Sequence, residues 1–314
     1  MDCKPFGRTG LMVSDLALGT ANFGTVWGHG ADEETAAAIF HAYAEAGGTM
    51  IDTADIYQFG QSEQILGRLL AGRRNEFVLA TKYSSGAAPD AGRLVTGNSR
   101  QAMIASVEAS LRRLATDRID ILWTHQPDGV TPVEEILRGF EDLARAGKIL
   151  YAGLSNFPAW QLSRAATLAE LRGTLPIAAA QFEYSLVHRA PEADLIPASA
   201  ALGLATITYT PLGGGMLTGK YRQGETGRAE GMDGRNFRPE DGGQRTRILD
   251  AVLSVAAQQG ATPDQIAIAW VASRGATPLI GPRSPEQALS NLGAVRITLT
   301  PEQRRLLDDS SREA

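Results

Sequence analysis

The sequence predicts an α/β protein: a (β/α)8 barrel of the TIM type, with an N-terminal β-hairpin and long loops at the C-terminal face. Three observations carry that expectation. Short apolar runs of strand length alternate with longer stretches of helical spacing along the 314 residues. Strict alternation implies parallel strands joined by right-handed crossovers. The rival arrangement, a doubly wound open sheet, wants G-x-G-x-x-G after an early strand, and that string is absent. Eight such units close into a barrel of about 250 residues, so the length needs no second core.

The elements follow in order. Residues 1–15, with Phe6, a Gly7–Gly10 turn and Met12-Val13, read as a short hairpin. Barrel strands are expected at 16–20, 49–52, 77–82, 119–125, 150–156, 177–182, 204–210 and 276–281. Helices are expected near 33–46, 62–70, 99–114, 132–146, 158–172, 191–201, 246–258 with 263–273, and 284–293, with a last one near 300–309. Asp32 or a neighbour caps the first, and Glu33 and Glu34 suit its positive end. Ser99 precedes Ile104, Val107, Leu111 and Leu114 at helical spacing. Thr131-Pro132 and Thr262-Pro263-Asp264 are start signals, and Ala146-Gly147 is a stop. The Gly-, Arg- and acid-rich stretch 212–245 reads as a long loop. Nothing resembles a linker, so residues 1–314 are expected to form one domain.

Composition excludes several function classes. With 30 Lys+Arg against 35 Asp+Glu, the net charge of −5 argues against nucleic acid or an acidic membrane as partner. The single cysteine, Cys3, excludes a disulfide framework and a Cys-based metal site. The four histidines (29, 41, 125 and 188) form neither H-x-H nor H-E-x-x-H, so no metal is expected. His29, in a Gly-rich loop, is the one besides His125 placed to reach the mouth. No apolar stretch is long enough to span a bilayer and the start lacks a signal-peptide core, which points to a cytoplasmic protein.

Polar residues close the apolar runs. Asp52 ends the second strand, Lys82 the third, His125 the fourth and Ser155-Asn156 the fifth, while Gln181 and Tyr209 lie near the ends of the sixth and seventh. In a barrel these positions converge on one rim. Tyr57 follows Asp52 by five residues. A free tyrosine, with a pKa near ~10, is a weak acid at neutral pH. An adjacent ammonium favours tyrosinate, and a carboxylate beside the lysine keeps it charged and oriented. Asp52 is therefore expected to hold Lys82, and Lys82 to tune Tyr57, with His125 hydrogen-bonding a substrate oxygen or relaying its proton. Such a set protonates a developing alkoxide or deprotonates an alcohol. A barrel lyase or isomerase using Lys82 as a Schiff base is a weaker reading.

These residues sit in longer motifs: FGRTGLMVSDLALGTANFG (6–24), IDTADIYQFGQSE (51–63), LATK (79–82), IDILWTH (119–125), GLSNF (153–157), AQFEYSL (180–186), YTPLGGGMLTGKY (209–221) and LIGPRSPEQALSNLGAV (279–295). Together they resemble the aldo-keto reductases over nearly the whole chain. The branch is that of potassium-channel β-subunits, aryl-alcohol dehydrogenases and bacterial sugar dehydrogenases. The resemblance implies a nicotinamide dinucleotide held without a Rossmann motif, with Asp52, Tyr57, Lys82 and His125 as catalytic tetrad and Tyr57 as general acid. It implies Ser155, Asn156 and Gln181 on the nicotinamide carboxamide and Tyr209 stacked on its ring. Leu212, Gly214, Met216 and Lys220 match the pyrophosphate side, and Gly281, Arg283, Gln287 and Asn291 the adenosine end.

Two departures bear on the cofactor. Ser290 stands where many members carry a glutamate, and Gln287 where many carry an arginine. Arg283 is read as the cation for a 2′-phosphate, favouring NADP (NADPH) with NAD the alternative, or else as a solvated surface residue. The substrate pocket is expected to use Trp27, Tyr57, Tyr83 and His125, joined by Phe23 or Phe59, with Trp123 as pocket floor or barrel core. The arginines of 222–245 (222, 228, 235, 238 and 245) read as part of a mobile, solvated lid, or as a clamp on phosphate or a polar substrate. The expected activity is hydride transfer between nicotinamide C4 and the carbon of a small-molecule carbonyl or alcohol. The alternative is a cofactor-binding, redox-sensing regulatory subunit. His125 favours catalysis, since channel-type members often carry Asn there. Oligomeric state is not legible.

Overall fold

Strands β1 (Cys3–Pro5) and β2 (Met12–Ser14) form the expected antiparallel hairpin, with Lys4 opposite Val13. The structure, a computed structural model, describes residues 1–224 and 239–312. Eight parallel strands follow: β3 (Ala17–Gly19), β4 (Met50–Asp52), β5 (Val78–Tyr83), β6 (Ile119–Thr124), β7 (Ile149–Ser155), β8 (Ile177–Glu183), β9 (Ala205–Tyr209) and β10 (Thr277–Ile280). Each pairs with the next, and β10 pairs with β3 to close the barrel. The helices around it are α1 (Glu33–Glu45), α2 (Gln61–Leu69), α3 (Arg100–Arg113), α4 (Val133–Arg145), α5 (Ala159–Arg172), α6 (Leu195–Leu202), α7 (Gln244–Gln259), α8 (Pro263–Ala272), α9 (Pro285–Leu292) and α10 (Pro301–Ser311).

Local chemistry sets the helix starts. The Asp32 side chain accepts the Thr35 N–H at 2.9 Å, and the Ser99 hydroxyl accepts that of Ala102 at 3.2 Å. Thr262 and Gln265 form a reciprocal capping box at α8. The helix expected over 191–201 is broken instead. A 3₁₀ turn (Ala190–Glu192) precedes α6, because Asp194 leaves helical geometry and caps the Leu195 N–H at 2.6 Å. The start of the long loop is ordered too, as 3₁₀ turns at Gly213–Thr218 and Lys220–Gln223. Of the arginines assigned to the lid, Arg228, Arg235 and Arg238 lie outside the described residues. Arg222 is paired with Glu240 and Asp250, and Arg245 with Asp241.

Strand alternation splits the apolar residues into two layers. Ala17, Met50, Ala80, Ile121, Trp123, Ala179 and Ile207 fill the barrel, with Phe6 and Val13 of the hairpin closing one end. Arg8 N–H donates to the Gly203 carbonyl just before β9, which puts the hairpin at the end opposite the strand C-termini. Complete burial of Phe6 contributes ~1.5–3 kcal/mol. Leu18, Ile51, Leu79 and Leu122 face the helices. Gly153 on β7 makes room for the largest interior side chain: a Cβ there would lie 2.3 Å from the Trp123 ring. The interior is thus filled below, and its upper rim is left for polar groups.

Candidate active site

The register sets the rim. Asp52 pairs with Ala80, Lys82 with Trp123, and Ser155 with Gln181. Of these, Asp52, Ser155 and Gln181 line a cleft of about 620 Å³, and Lys82 lies buried behind it. Lys82 is buried and ion-paired with Asp52; its ammonium also donates to the Thr53 carbonyl at 2.9 Å and the Tyr57 hydroxyl at 3.2 Å. Gln181 Nε2 donates to the other Asp52 oxygen at 3.0 Å. Burial works against the lysine charge, but Asp52 and Tyr57 more than offset it and hold the ammonium above its usual range. Tyr57 faces the cleft, with the lysine nitrogen 4.9 Å from its ring centre.

His125 follows β6 and meets Tyr57 edge to face, with ring centroids 6.0 Å apart. Burial, and then the Lys82 charge, push its pKa down to about 3, so the imidazole is neutral at physiological pH. Its Nδ1 is buried without a hydrogen-bond partner among the described residues. Beside it Asn156, in the left-handed region at φ 62°, donates to the His125 carbonyl (3.0 Å) and the Ser155 hydroxyl (3.1 Å). The Tyr209 hydroxyl donates to Asn156 Oδ1 at 2.8 Å. Ser155, Asn156, Gln181 and Tyr209 thus line one stretch of the cleft together.

The far stretch is built from the loop after β9 and the start of α9. Leu212, Gly214, Gly215, Thr218 and Lys220 line it on one side. Gly214 and Gly215 have φ of 71° and 97°, a backbone that glycine alone adopts readily. On the other side stand Gly281, Arg283, Gln287 and Asn291, with Gln287 accepting the Arg283 backbone N–H at 2.9 Å. The Nη2 of Arg283 is buried and has no hydrogen-bond partner among the described residues. An unmet guanidinium donor, a glycine-lined backbone and a helix start fit the phosphates of a dinucleotide.

Besides Lys82, buried behind Asp52, and Phe59, which packs against Trp27, several expected residues do not line the cleft. Tyr83 follows Lys82 by one position, so alternation turns it outward into the helix-facing layer, where its hydroxyl accepts from Thr124 at 3.1 Å. Trp123 is barrel core rather than pocket floor. Met216 is buried with Leu217 in the apolar layer, and its neighbours in the turn line the cleft instead. Phe23 is also core, whereas Trp27 lines the mouth with its ring 6.3 Å from Tyr57 and 6.0 Å from His29.

Several lining residues were not anticipated. Asn22 bridges the barrel closure by donating to the Gly281 carbonyl at 2.8 Å. Asp264 was expected only as part of a helix start; it is buried at the far end and accepts from Asn291 (2.7 Å) and Ser290 (2.8 Å). No local pattern marks that role, since α8 and α9 meet only in the folded chain.

Comparison with known proteins identifies the family. The sequence profile of the Aldo/keto reductase family matches residues 15–312. The uncharacterized oxidoreductase YrpG of Bacillus subtilis is 36% identical, over 98% of this chain and 95% of its own. An aryl-alcohol dehydrogenase [NADP(+)] of Phanerodontia chrysosporium is 34% identical, over 96% and 83%. A potassium-channel β-subunit-like protein of Schizosaccharomyces pombe is 33% identical, over 96% and 91%. A closed barrel carrying this rim, matched by the family profile almost from end to end, leads to one conclusion: the chain belongs to the aldo/keto reductase family and is an NAD(P)-dependent oxidoreductase.

Proposed function

We propose that the protein interconverts a small-molecule carbonyl and the corresponding alcohol, with Tyr57 as general acid and base and NADPH as the preferred cofactor over NADH. The observation that carries this reading is the Tyr57 hydroxyl, open to the cleft and 3.2 Å from a buried ammonium that is itself paired with Asp52. When bound, the nicotinamide supplies the hydride. Tyr57 holds the proton destined for the carbonyl oxygen, and Lys82 stabilises the tyrosinate left behind. His125, neutral with its pKa near 3, is suited to orient that oxygen by hydrogen bonding rather than to carry a proton. In the oxidative direction Tyr57 accepts the alcohol proton. Ser155, Asn156 and Gln181 hold the nicotinamide carboxamide, and Tyr209 covers the ring. Leu212, Gly214 and Lys220 serve the pyrophosphate, and Gly281, Gln287 and Asn291 the adenosine.

The cofactor preference rests on Arg283. Its buried, unpartnered Nη2 calls for an anion, which the 2′-phosphate of NADPH supplies and NADH lacks. The test is fluorescence titration with both cofactors, followed by carbonyl and alcohol panels with the tighter one. Tighter NADPH binding and turnover of a carbonyl are expected. Equal affinities would remove the role of Arg283, and cofactor binding without turnover would favour a redox-sensing regulatory subunit.

A further inference from the structure

Trp27 rides on the loop between β3 and α1. That loop closes on itself where Ala31 N–H donates to the Asn22 carbonyl (2.6 Å) and Gly24 N–H to the Ala31 carbonyl (2.7 Å). Two glutamines from the segment after Tyr57 hold it. Gln58, fully buried, accepts the Trp27 N–H at 2.8 Å and donates to the carbonyls of His29 (3.0 Å) and Ala21 (3.3 Å). Gln61, at the start of α2, accepts the N–H groups of Thr25 (2.8 Å) and Val26 (3.3 Å).

The backbone is bent to aim Gln58. Gln58 and Phe59 lie at φ/ψ of 50°/34° and 51°/45°, the left-handed region that L-residues rarely occupy. Such conformations persist where the surroundings over-determine them, and they cluster at working sites. The cleft gains flat walls from Trp27, Tyr57 and His125, with Phe59 backing Trp27. Trp27 stands nearly perpendicular to Tyr57 (83°, 6.3 Å) and to Phe59 (83°, 6.1 Å), and Tyr57 nearly perpendicular to His125 (84°, 6.0 Å). An aromatic substrate gains ring–ring contact against such walls that a short aliphatic one cannot.

We propose that Gln58, backed by Gln61, is a positioning residue that fixes Trp27 over Tyr57 and so biases the site towards flat aromatic carbonyl compounds over short aliphatic ones. The selectivity rests on the reading of the cleft as a carbonyl-reducing site. Gln58→Gly is the decisive variant, because glycine adopts φ near 50° freely and the substitution removes the side-chain clamp without adding backbone strain. Kinetics with benzaldehyde and propanal, NADPH titration, and hydrogen exchange across residues 22–31 are compared with the unsubstituted enzyme. In Gln58→Gly the benzaldehyde KM rises about ten-fold, with its kcat, the propanal kcat/KM and NADPH affinity within about two-fold. Amides 25–27 exchange about ten-fold faster. Gln61→Ala shifts both readouts in the same direction by less. An unchanged benzaldehyde-to-propanal ratio overturns the selectivity role, as does an equal fall for both substrates. Unchanged exchange at 25–27 overturns the clamp itself. If the unsubstituted enzyme binds neither cofactor and reduces neither aldehyde, the reading of the cleft falls, and the selectivity role with it.

Discussion

The Tyr57 end of the cleft and its Arg283 end treat their polar groups in opposite ways. At the first, Lys82 is matched by Asp52, Thr53 and Tyr57, and Asp52 is matched again by Gln181. At the second, Arg283 makes no ion pair among the described residues, and its Nη2 is buried unmet. A buried ion pair adds little net stability, since desolvating both ions about cancels their attraction. What it provides is a charge held in a fixed place. A buried donor without a partner costs ~1–3 kcal/mol, which an incoming anion recovers. One end has its charges met within the protein, and the other keeps a buried donor unmet among the described residues.

The sharpest test of that contrast is Tyr57→Phe. Turnover should fall by about 10²–10⁴-fold while NADPH affinity stays within about two-fold; retained turnover with a carbonyl substrate would remove Tyr57 from its role. Lys82→Met strands the Asp52 carboxylate in the barrel, and denaturant unfolding should show a loss of ~3–5 kcal/mol. Arg283→Met, at the other end, removes an unmet donor and should not destabilise the fold. Titration should show NADPH binding weakened by about ten- to a hundred-fold and NADH binding little altered. Equal weakening of both cofactors would mean that Arg283 does not read the 2′-phosphate.

A smaller effect lies behind the Tyr57 end. Asp55 Oδ2 accepts the Gly86 N–H and the Ser106 hydroxyl, both at 3.1 Å, while Oδ1 has no partner among the described residues. Burial, and then the charge of Glu63 (itself paired with Arg113), push the Asp55 pKa up to about 6 from an ordinary 3.8. Between those values the folded state binds more protons than the unfolded chain. This contribution to stability is therefore complete at low pH and is lost as pH rises towards and through about 6. Asp55→Asn cannot ionise and should flatten the fall in unfolding free energy between pH 5 and 8 by ~1–2 kcal/mol. A slope identical to that of the unsubstituted protein would show that Asp55 does not titrate there. Smallest of all, His125 should leave no break near pH 6.5 in the kcat/KM profile, since its pKa lies near 3.

Legibility tracked how local each signal was. The strand runs, the caps at Asp32, Ser99 and Thr262, and the hairpin around Phe6 appear where their residues place them. Asp52, Tyr57, Lys82 and His125 could be grouped from the sequence because each lies at a strand end or follows one closely, and barrel closure brings such ends together. Tyr83 misled because a strand end predicts polarity and position, while side-chain direction changes with every residue. Met216 misled because in a tight 3₁₀ turn one residue lines the cleft and its neighbour is buried. Gln58 was missed because its left-handed backbone and its partners at Ala21, Trp27 and His29 leave no local trace.

By itself, the sequence determined the barrel, the order of its units and which polar residues stand at the strand ends. Those follow from periodicity, helix caps and strand-end chemistry, all of which act over a few residues. Only the tertiary structure decided which groups are satisfied and which are left open. Lys82 is neutralised by a residue one β/α unit away, Asp264 is met by Ser290 and Asn291 from another helix, and Arg283 is left unmet. Burial and hydrogen-bond completion depend on what closure brings alongside, and that is a property of the folded chain rather than of any segment in it.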